Sequence, residues 1–163
     1  AKTALEILEK AKAAKCKVLL PVDVVVAPEF KADAPNTVVD AKACPADQMI
    51  LDVGPKSVEL YNKELAECAT LVWNGPLGVF EIPAFGAATR ELATLAAEKA
   101  EGGATVVVGG GDSIAALQQQ GLAGKMTHLS TGGGASLEFL EGRTLPGIAV
   151  LQDRPAGAEK KKK

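Results

Sequence analysis

Aromatic residues and histidine are both scarce in this sequence of 163 residues. Phe, Trp and Tyr together make up 4% of the chain, so a hydrophobic core has to be built from Val, Leu, Ile and Ala. A single histidine, His128, excludes a histidine-rich metal site and argues against a Ser-His-Asp triad. The three cysteines, Cys16, Cys44 and Cys68, have neither metal-ligand nor C-x-x-C spacing, which predicts reduced thiols in a cytosol-like compartment.

Charge of one sign and long apolar runs are also missing. The formal net charge is −2, which gives no electrostatic reason to expect nucleic acid or a membrane surface as a partner. No apolar run approaches the length of a membrane span, and the N-terminus lacks the pattern of a secretory signal. With a hydrophobic content of 47%, the chain can form one domain with its own core. These features predict a globular cytoplasmic protein, with a plastid location left open.

The two ends of the sequence have an unusual character. The first residues, 1–8, read as the middle of a helix, with neither a methionine nor a cap, which we interpret as the sign of a fragment. The last residues end in four lysines, Lys160 to Lys163. This run could bind an acidic partner, but a solvated, disordered tail over 152–163 is the favoured interpretation.

Strand-like and helix-like patterns alternate along the rest of the chain. Helices are predicted at 2–15, 55–68, 84–100 and 112–120, strands at 18–27 (split by Pro21), 37–40, 49–53, 71–73 and 105–108, and a loop-helix unit at 127–140. Because no hairpin turns separate the strands, we expect one α/β domain. Its predicted architecture is three-layer and Rossmann-like, a parallel sheet with helices on both faces. Ligands of such sheets bind at the carboxyl ends of the strands.

Two glycine triplets, Gly109–Gly111 and Gly132–Gly134, each follow an apolar run and each open a predicted helix. A glycine run at this place leaves backbone N–H groups uncovered at the positive end of a helix dipole, which suits phosphate oxygens. Either loop alone is equally well interpreted as a tight turn without a ligand. Two such loops within about one βαβ unit favour a polyphosphate site.

Neither loop matches a general nucleotide motif. The dinucleotide fingerprint fails because Ile114 stands where its third glycine is required. The Walker A pattern fails around Gly124-Lys125, because Met126 follows the lysine and Gln119 stands at the position of the first glycine. The sequence therefore supports neither a nicotinamide oxidoreductase nor a P-loop NTPase.

Three polar side chains allow two interpretations each. Asp112 can be a Mg²⁺ ligand or the N-cap of the following helix, a role that it can share with Ser113. Glu81 can accept hydrogen bonds from a ribose diol or be an ordinary surface glutamate. His128, at a strand end, is more often structural than catalytic in this context.

Three ordered segments together resemble phosphoglycerate kinase, specifically the latter part of its C-terminal, nucleotide-binding domain. They are LVWNGPLGVFE at 71–81, GGGDS at 109–113 and HLSTGGGASLEFLEG at 128–142. The segments LDVGP at 51–55 and LPGI at 145–148 also fit. The resemblance covers residues 1–151, which are expected to form part of that domain.

The resemblance implies a role for each matching residue at the nucleoside end of ADP or ATP. Asn74 would approach the phosphates and the ribose. Val79 and Leu51 would flank the adenine, and Glu81 would hold the ribose hydroxyls.

At the phosphate end, the resemblance implies two glycine loops and one metal ligand. Gly110, Gly111, Asp112 and Ser113 match the phosphate and Mg²⁺ stretch, with Asp112 facing the metal. Gly132, Gly133 and Gly134 match the loop whose backbone amides receive the transferring phosphoryl group. Donors at a helix start suit this role, because phosphoryl transfer depends on positioning and charge stabilisation.

The family reaction transfers a phosphoryl group reversibly between 1,3-bisphosphoglycerate and ADP, giving 3-phosphoglycerate and ATP, and requires Mg²⁺. The full enzyme is expected to be monomeric. This sequence lacks the family's N-terminal domain and its glycine-rich loop with two lysines; Lys56 and Lys125 do not match that loop. Since lost cationic contacts cost orders of magnitude in rate, we expect this chain to be inactive alone.

The missing units also have a predicted structural consequence. Apolar positions such as Val24 to Val26 are expected to be exposed, which would favour self-association. An alternative function is therefore a non-catalytic structural or assembly module with vestigial glycine loops. A further possibility is one chain of an enzyme whose other segments are separate chains.

Overall fold

The computed structural model describes residues 2–152, and the predicted Lys-rich tail from residue 153 onward lies outside them. The helices are α1 (Lys2–Ala13), α2 (Pro55–Ala66), α3 (Ala87–Glu101), α4 (Gly111–Gln119), α5 (Gly133–Leu140) and α6 (Pro146–Ala149). The strands are β1 (Asp23–Ala27), β2 (Thr37–Asp40), β3 (Met49–Val53), β4 (Thr70–Asn74), β5 (Thr105–Gly109) and β6 (His128–Ser130). Short 3₁₀ turns cover Pro83–Phe85 and Ala123–Lys125.

Most predicted elements form where they were expected, with small shifts at their ends. The exception is the segment 18–20, which was predicted as strand and has no regular structure. Pro21 follows it directly, and proline has no N–H to donate to a strand ladder. Strand β1 therefore begins only at Asp23.

The strands form two three-stranded sheets, with the orders β2-β1-β3 and β4-β5-β6. Sheet β4-β5-β6 is parallel, as predicted. Sheet β2-β1-β3 is antiparallel, so the prediction of one parallel sheet is wrong for this half of the chain. For β1 and β2 the reason lies in their connection: a parallel pair needs a crossover of a dozen or more residues, whereas 28–36 is short and contains no helix.

One face of the parallel sheet carries the main core. Trp73, Val106 and Val108 pack there against α3, together with Leu117 of α4. The contributions of α3 are mostly alanines, whose small side chains let the helix lie close to the strands. A second, smaller core lies at the antiparallel sheet around Leu51 and Phe85.

The expected exposure of Val24 to Val26 is wrong. Val24 and Val26 are buried, and Val25 is partly buried. Exposed apolar surface lies instead on the second face of the parallel sheet, where Val72 is 49% exposed and Phe139 of α5 is 63% exposed. Helix cover on this face is incomplete, so the expected three layers are only partly formed. No helix within residues 2–152 is long and apolar enough to cross a membrane.

In both α2 and α3, the first backbone N–H groups donate to a carboxylate of a residue in a β-strand. Each follows a glycine, Gly54 or Gly86, that provides no side-chain cap. For α2, the carboxylate of Asp23 accepts the backbone N–H of Lys56 at 3.0 Å and that of Ser57 at 2.8 Å. The Ser57 hydroxyl lies 2.7 Å from the same carboxylate. These bonds fasten α2 to β1.

The second carboxylate, Asp52 of β3, is buried and caps α3. Its Oδ2 accepts the N–H of Ala88 at 3.1 Å, and its Oδ1 accepts the N–H of Val53 at 2.9 Å. Burial raises the pKa of Asp52, and the hydrogen bonds offset this only in part. For Asp23, burial also favours the protonated form, but the hydrogen bonds from Ser57 and Lys56 outweigh it and lower the pKa.

We expect the substitution Asp23→Ala to lower the free energy of unfolding by about 2 kcal/mol or more, because it removes a helix cap and leaves buried donors unpaired. Chemical denaturation followed by circular dichroism measures this change. Asp33→Ala, which removes an exposed aspartate from the β1–β2 loop, is the matched control and should change stability by less than about 0.5 kcal/mol. Equal effects of the two substitutions would show that the Asp23 cap is not needed.

The raised pKa of Asp52 predicts a pH dependence of stability with a defined sign. The contribution of this group is fully present below the ordinary aspartate pKa and is lost as the pH rises through the raised folded-state pKa. The stability of the parent chain relative to Asp52→Asn should therefore decrease as the pH rises above the ordinary aspartate pKa of 3.8. Asp23 titrates in both proteins, so its opposite contribution cancels. A relative stability that increases over this range would contradict the raised pKa.

Candidate functional site

The register of the parallel sheet brings three strand ends to one edge. Asn74, the last residue of β4, lies opposite Gly109, the last residue of β5. Gly109 in turn lies opposite Ser130, the last residue of β6. Both glycine loops therefore leave the sheet side by side, which confirms that they lie at the carboxyl ends of the strands.

The two loops touch each other directly. The N–H of Gly110 donates to the carbonyl oxygen of Ser130 at 3.1 Å. A Cβ atom on Gly133 would lie 2.8 Å from the Cα of Gly110, so no side chain fits at position 133. Gly110 has a φ of +95°, which favours glycine. These two glycines are needed for the loops to meet.

The side-chain amide of Asn74 lies at the junction of the loops. Its Nδ2 would be 3.1 Å from a Cβ on Gly109 and 3.2 Å from a Cβ on Gly133. Asn74 itself is exposed. The residue that the sequence singled out on β4 is thus brought together with both glycine loops.

Helices α4 and α5 begin without side-chain caps. Their N-cap residues are Gly110 and Gly132, and no side chain among the described residues caps either of them. The possible N-cap role of Asp112 is wrong, because Asp112 is the second residue of α4 and its side chain is exposed. Ser113 does not cap the helix either, since its hydroxyl accepts the N–H of Gly75 at 2.8 Å.

Within each triplet, one glycine is not required by the packing of the protein. A Cβ on Gly111 or on Gly134 would meet nothing within 4 Å, and both residues are exposed. Neither has a positive φ. The space beside these two helix starts is therefore open to a ligand, and donors at a helix start attract anions.

The residues expected at the nucleoside end form a second group. The N–H of Val79 donates to the carbonyl oxygen of Leu51 at 2.9 Å. Both residues line an open cavity of about 550 Å³ together with Pro76, Leu77 and Gly78. The segment 75–80, which we call the β4 loop, joins this cavity to Asn74.

Glu81 is not brought into that cavity. It is exposed and lines a separate, smaller cleft of about 180 Å³, which it shares with Phe80 and Arg90. This cleft lies at the end of the β4 loop, whose last residue, Phe80, lines it. The structure thus places Glu81 near the loop but apart from Leu51 and Val79.

A cavity of about 520 Å³ extends from the sheet edge across the open face of the parallel sheet. Asn74, Gly109 and Gly132 line its polar end, and His128 is also part of its lining. None of the described residues that line it is lysine or arginine. Lys125 instead pairs with Glu101 at 2.8 Å.

Asp112 is the carboxylate best placed for a cation beside the helix starts. Within residues 2–152 there is no cluster of three or more His, Cys, Asp or Glu that could hold a metal by itself. Mg²⁺ commonly keeps several waters and binds one or two carboxylates together with substrate phosphates. One exposed carboxylate beside two uncapped helix starts is compatible with this ion and does not fit an all-protein metal cage.

Two side chains of this region were missed by sequence reasoning. Thr89 of α3 is fully buried, and its hydroxyl accepts the N–H of Leu77 at 3.1 Å. The carboxylate of Asp52 lies where a Cβ on Gly78 would be. A threonine inside a predicted helix gives no sequence signal of a role at the site. Asp52 stands within the LDVGP segment, but the resemblance assigns a role only to its neighbour Leu51.

We expect Gly133→Ala and Gly134→Ala to have opposite effects on stability. The first places a methyl group against the backbone of Gly110 and should lower the free energy of unfolding by about 1–3 kcal/mol. The second adds a methyl group in open space within α5 and should raise it by up to about 1 kcal/mol. Chemical denaturation of the two variants measures the difference, and equal values would contradict the contact between the loops.

Comparison with known proteins gives a consistent result. The family profile described as phosphoglycerate kinase matches residues 1–143. The phosphoglycerate kinase of Chloroflexus aggregans is 53% identical over 150 residues, which are 92% of this chain and 38% of that protein. The phosphoglycerate kinase of Jannaschia sp. is 54% identical over 151 residues, again 92% of this chain and 38% of that protein.

Solved structures agree with the sequence relatives. The structure of phosphoglycerate kinase from Coxiella burnetii superimposes with a TM-score of 0.82 at 46% identity and covers 91% of this chain and 37% of that one. The enzyme from Pyrococcus horikoshii superimposes with a TM-score of 0.67 at 32% identity. The chain spans less than two fifths of the length of these relatives. It belongs to the phosphoglycerate kinase family.

Proposed function

We propose that this chain binds Mg²⁺ with ADP or ATP along the carboxyl edge of β4, β5 and β6. In this proposal residues 1–151 are part of the C-terminal, nucleotide-binding domain of a phosphoglycerate kinase. The reaction served is reversible phosphoryl transfer between 1,3-bisphosphoglycerate and ADP. The observation that carries the proposal is the meeting of two uncapped helix starts at the Gly110–Gly133 contact, with the Asn74 amide beside them.

At the phosphate end, the backbone does most of the binding. The first N–H groups of α4 and α5 would donate to phosphate oxygens in the open space beside Gly111 and Gly134. The Asn74 amide would add a side-chain donor between them. Bound Mg²⁺ supplies charge neutralisation to the phosphates, and Asp112 is the residue that would hold it. Because the loops are in contact before any ligand arrives, their donors need little rearrangement.

At the nucleoside end, the chain offers an apolar cavity and one carboxylate. Leu51 and Val79 would flank the adenine, and they line the same cavity and are joined by a backbone hydrogen bond. Glu81 would accept hydrogen bonds from the ribose hydroxyls at the far end of the β4 loop. Glu81 lines a neighbouring cleft and not the cavity that contains Leu51 and Val79.

The chain alone is proposed to bind nucleotide without transferring a phosphoryl group. None of the described residues that line the cavity at the sheet edge is lysine or arginine. The transferring phosphoryl group would be stabilised by backbone N–H donors and a metal ion, without a cationic side chain. The loss of a cationic side chain costs orders of magnitude in rate. The phosphoglycerate substrate would be bound by parts of the family enzyme that this chain does not match.

A second candidate function, an assembly module, is favoured by the open face of the parallel sheet. Val72, Leu137 and Phe139 all line the same cavity and are all more than two fifths exposed. Apolar surface of this kind promotes association. Sedimentation velocity with and without Mg·ADP separates the two functions, since an assembly module would associate with concentration and ignore the nucleotide.

The first test of nucleotide binding is a titration of the ¹⁵N-labelled chain with Mg·ADP, followed by amide NMR. Shifts at the glycines of both loops and at Asn74 are expected. A well-dispersed spectrum that Mg·ADP leaves unchanged would overturn the proposed function.

Asp112→Ala should weaken only the magnesium-dependent part of ADP binding, by about tenfold, because a charged contact is lost. Isothermal titration calorimetry with ADP in Mg²⁺ and in chelator measures this part as the ratio of two dissociation constants. Asp47→Ala, an exposed aspartate before β3, is the matched control and should keep the parent ratio. If Asp112→Ala also keeps it, the metal assignment is wrong.

A further inference from the structure

The β4 loop is held at its first residue by a buried hydroxyl from another element. Ser113 of α4 is fully buried, and its Oγ accepts the N–H of Gly75 at 2.8 Å. The carbonyl oxygen of Gly75 accepts the indole N–H of Trp73 at 2.6 Å. Both polar groups of this residue are therefore paired with side chains. Because the Gly75 peptide is held in this way, the backbone of the preceding residue, Asn74, is fixed, and so is the direction in which its side chain leaves the strand.

A second buried hydroxyl holds the middle of the same loop. Thr89 of α3 is fully buried, and its Oγ1 accepts the N–H of Leu77 at 3.1 Å. Its distance to the N–H nitrogen of Gly78 is 3.4 Å. Beyond this point the loop is fastened by the bond from Val79 to Leu51. Thr89 thus holds the part of the loop that leads to the apolar cavity.

We propose that Ser113 and Thr89 are positioning residues for the nucleotide, each acting on one end of it through the β4 loop. Ser113 fixes the Asn74 end, which faces the phosphates, and Thr89 fixes the Val79 end, which faces the nucleoside. This inference rests on the proposed function. It also changes the role that the resemblance implies for Ser113, because a hydroxyl with no exposed surface cannot contact the nucleotide with its side chain.

The physical reason is the short reach of the residues involved. Asn74 has to lie within contact distance of both Gly109 and Gly133, and the peptide that follows it is held by the Ser113 hydroxyl. Without that acceptor, the Gly75 N–H is left to find another partner, and the peptide can rotate. A small rotation there displaces the Asn74 amide from the junction of the loops. Sites whose supporting contacts are loosened lose affinity without losing their binding groups.

The test compares three substitutions that each remove a hydroxyl acceptor of a backbone N–H: Ser113→Ala, Thr89→Val and Thr127→Val. Thr127 is the matched control, because its hydroxyl accepts the N–H of Val106 at 3.0 Å at the opposite, amino end of the parallel strands. The probes are Mg·ADP, Mg-pyrophosphate and adenosine. They separate the phosphate end from the nucleoside end, and calorimetry or NMR titration measures the affinities.

Ser113→Ala should lower the affinity for Mg·ADP and Mg-pyrophosphate about five- to tenfold, with a smaller effect on adenosine. Thr89→Val should show the reverse order, with adenosine affected more than Mg-pyrophosphate. Ser113→Thr, which keeps a hydroxyl, should restore the binding of Mg-pyrophosphate. Thr127→Val should bind all three probes as the parent chain does. A general structural role would instead lower all affinities together with stability.

Parent-like affinities in both folded variants would overturn the positioning role while leaving the proposed function intact. If the parent chain itself fails to bind Mg·ADP, the proposed function and this inference are overturned together. Hydrogen exchange in the unmodified chain gives a test that needs no variant. The amides of Gly75 and Leu77 should exchange more slowly than those of an open loop, and unprotected amides at both positions would refute the two hydroxyl contacts.

Discussion

The in-register pairing of β4, β5 and β6 is the constraint on which the candidate site depends. Because Asn74, Gly109 and Ser130 lie at one level, the chain segments that follow them start from adjacent positions. A shift of one residue in this ladder would turn Asn74 to the other face of the sheet. The core on one face of the sheet opposes such a shift, since it buries alternate residues of each strand. The positions of the loops are thus set by the packing of the strands against the core and not by the loops themselves.

The starts of α2 to α5 divide into two kinds, and the division matches their proposed use. Helices α2 and α3 receive carboxylates, Asp23 and Asp52, from neighbouring strands, which satisfies their first N–H groups and fastens them to the antiparallel sheet. Helices α4 and α5 start at glycines without such partners. A carboxylate that accepted the first N–H groups of α4 or α5 would keep them from an anionic ligand, so a phosphate site requires these N–H groups to have no such partner. Asp112 lies in the first turn of α4, but its side chain is exposed and does not cap the helix. The helix starts that are capped within the protein and those proposed to bind the ligand are therefore separated along the chain.

Much of this arrangement could be predicted from the sequence, and the failures have physical causes. The glycine triplets and the strands before them were found because turn residues and apolar runs are local signals. The antiparallel pairing of β1 with β2 and β3 was missed, although the short helix-free connection between β1 and β2 pointed to the first of these pairs. The roles of Ser113 and Thr89 could not be predicted, because they depend on which N–H groups lie opposite after folding. The same holds for Gly133, whose neighbour Gly110 is distant in sequence.

The β4 loop connects the proposed nucleotide site to the stability of the whole fold. Its residues are held by Ser113 of α4, Thr89 of α3 and Leu51 of β3, so the loop has its shape only when these three elements are packed. A ligand that requires this shape binds the folded chain and not the unfolded one. It therefore stabilises the fold in proportion to the logarithm of its concentration relative to its dissociation constant. Because α3 packs on one sheet and is capped from the other, such stabilisation extends to both sheets. Nucleotide binding and folding are thus linked through the contacts that hold the β4 loop.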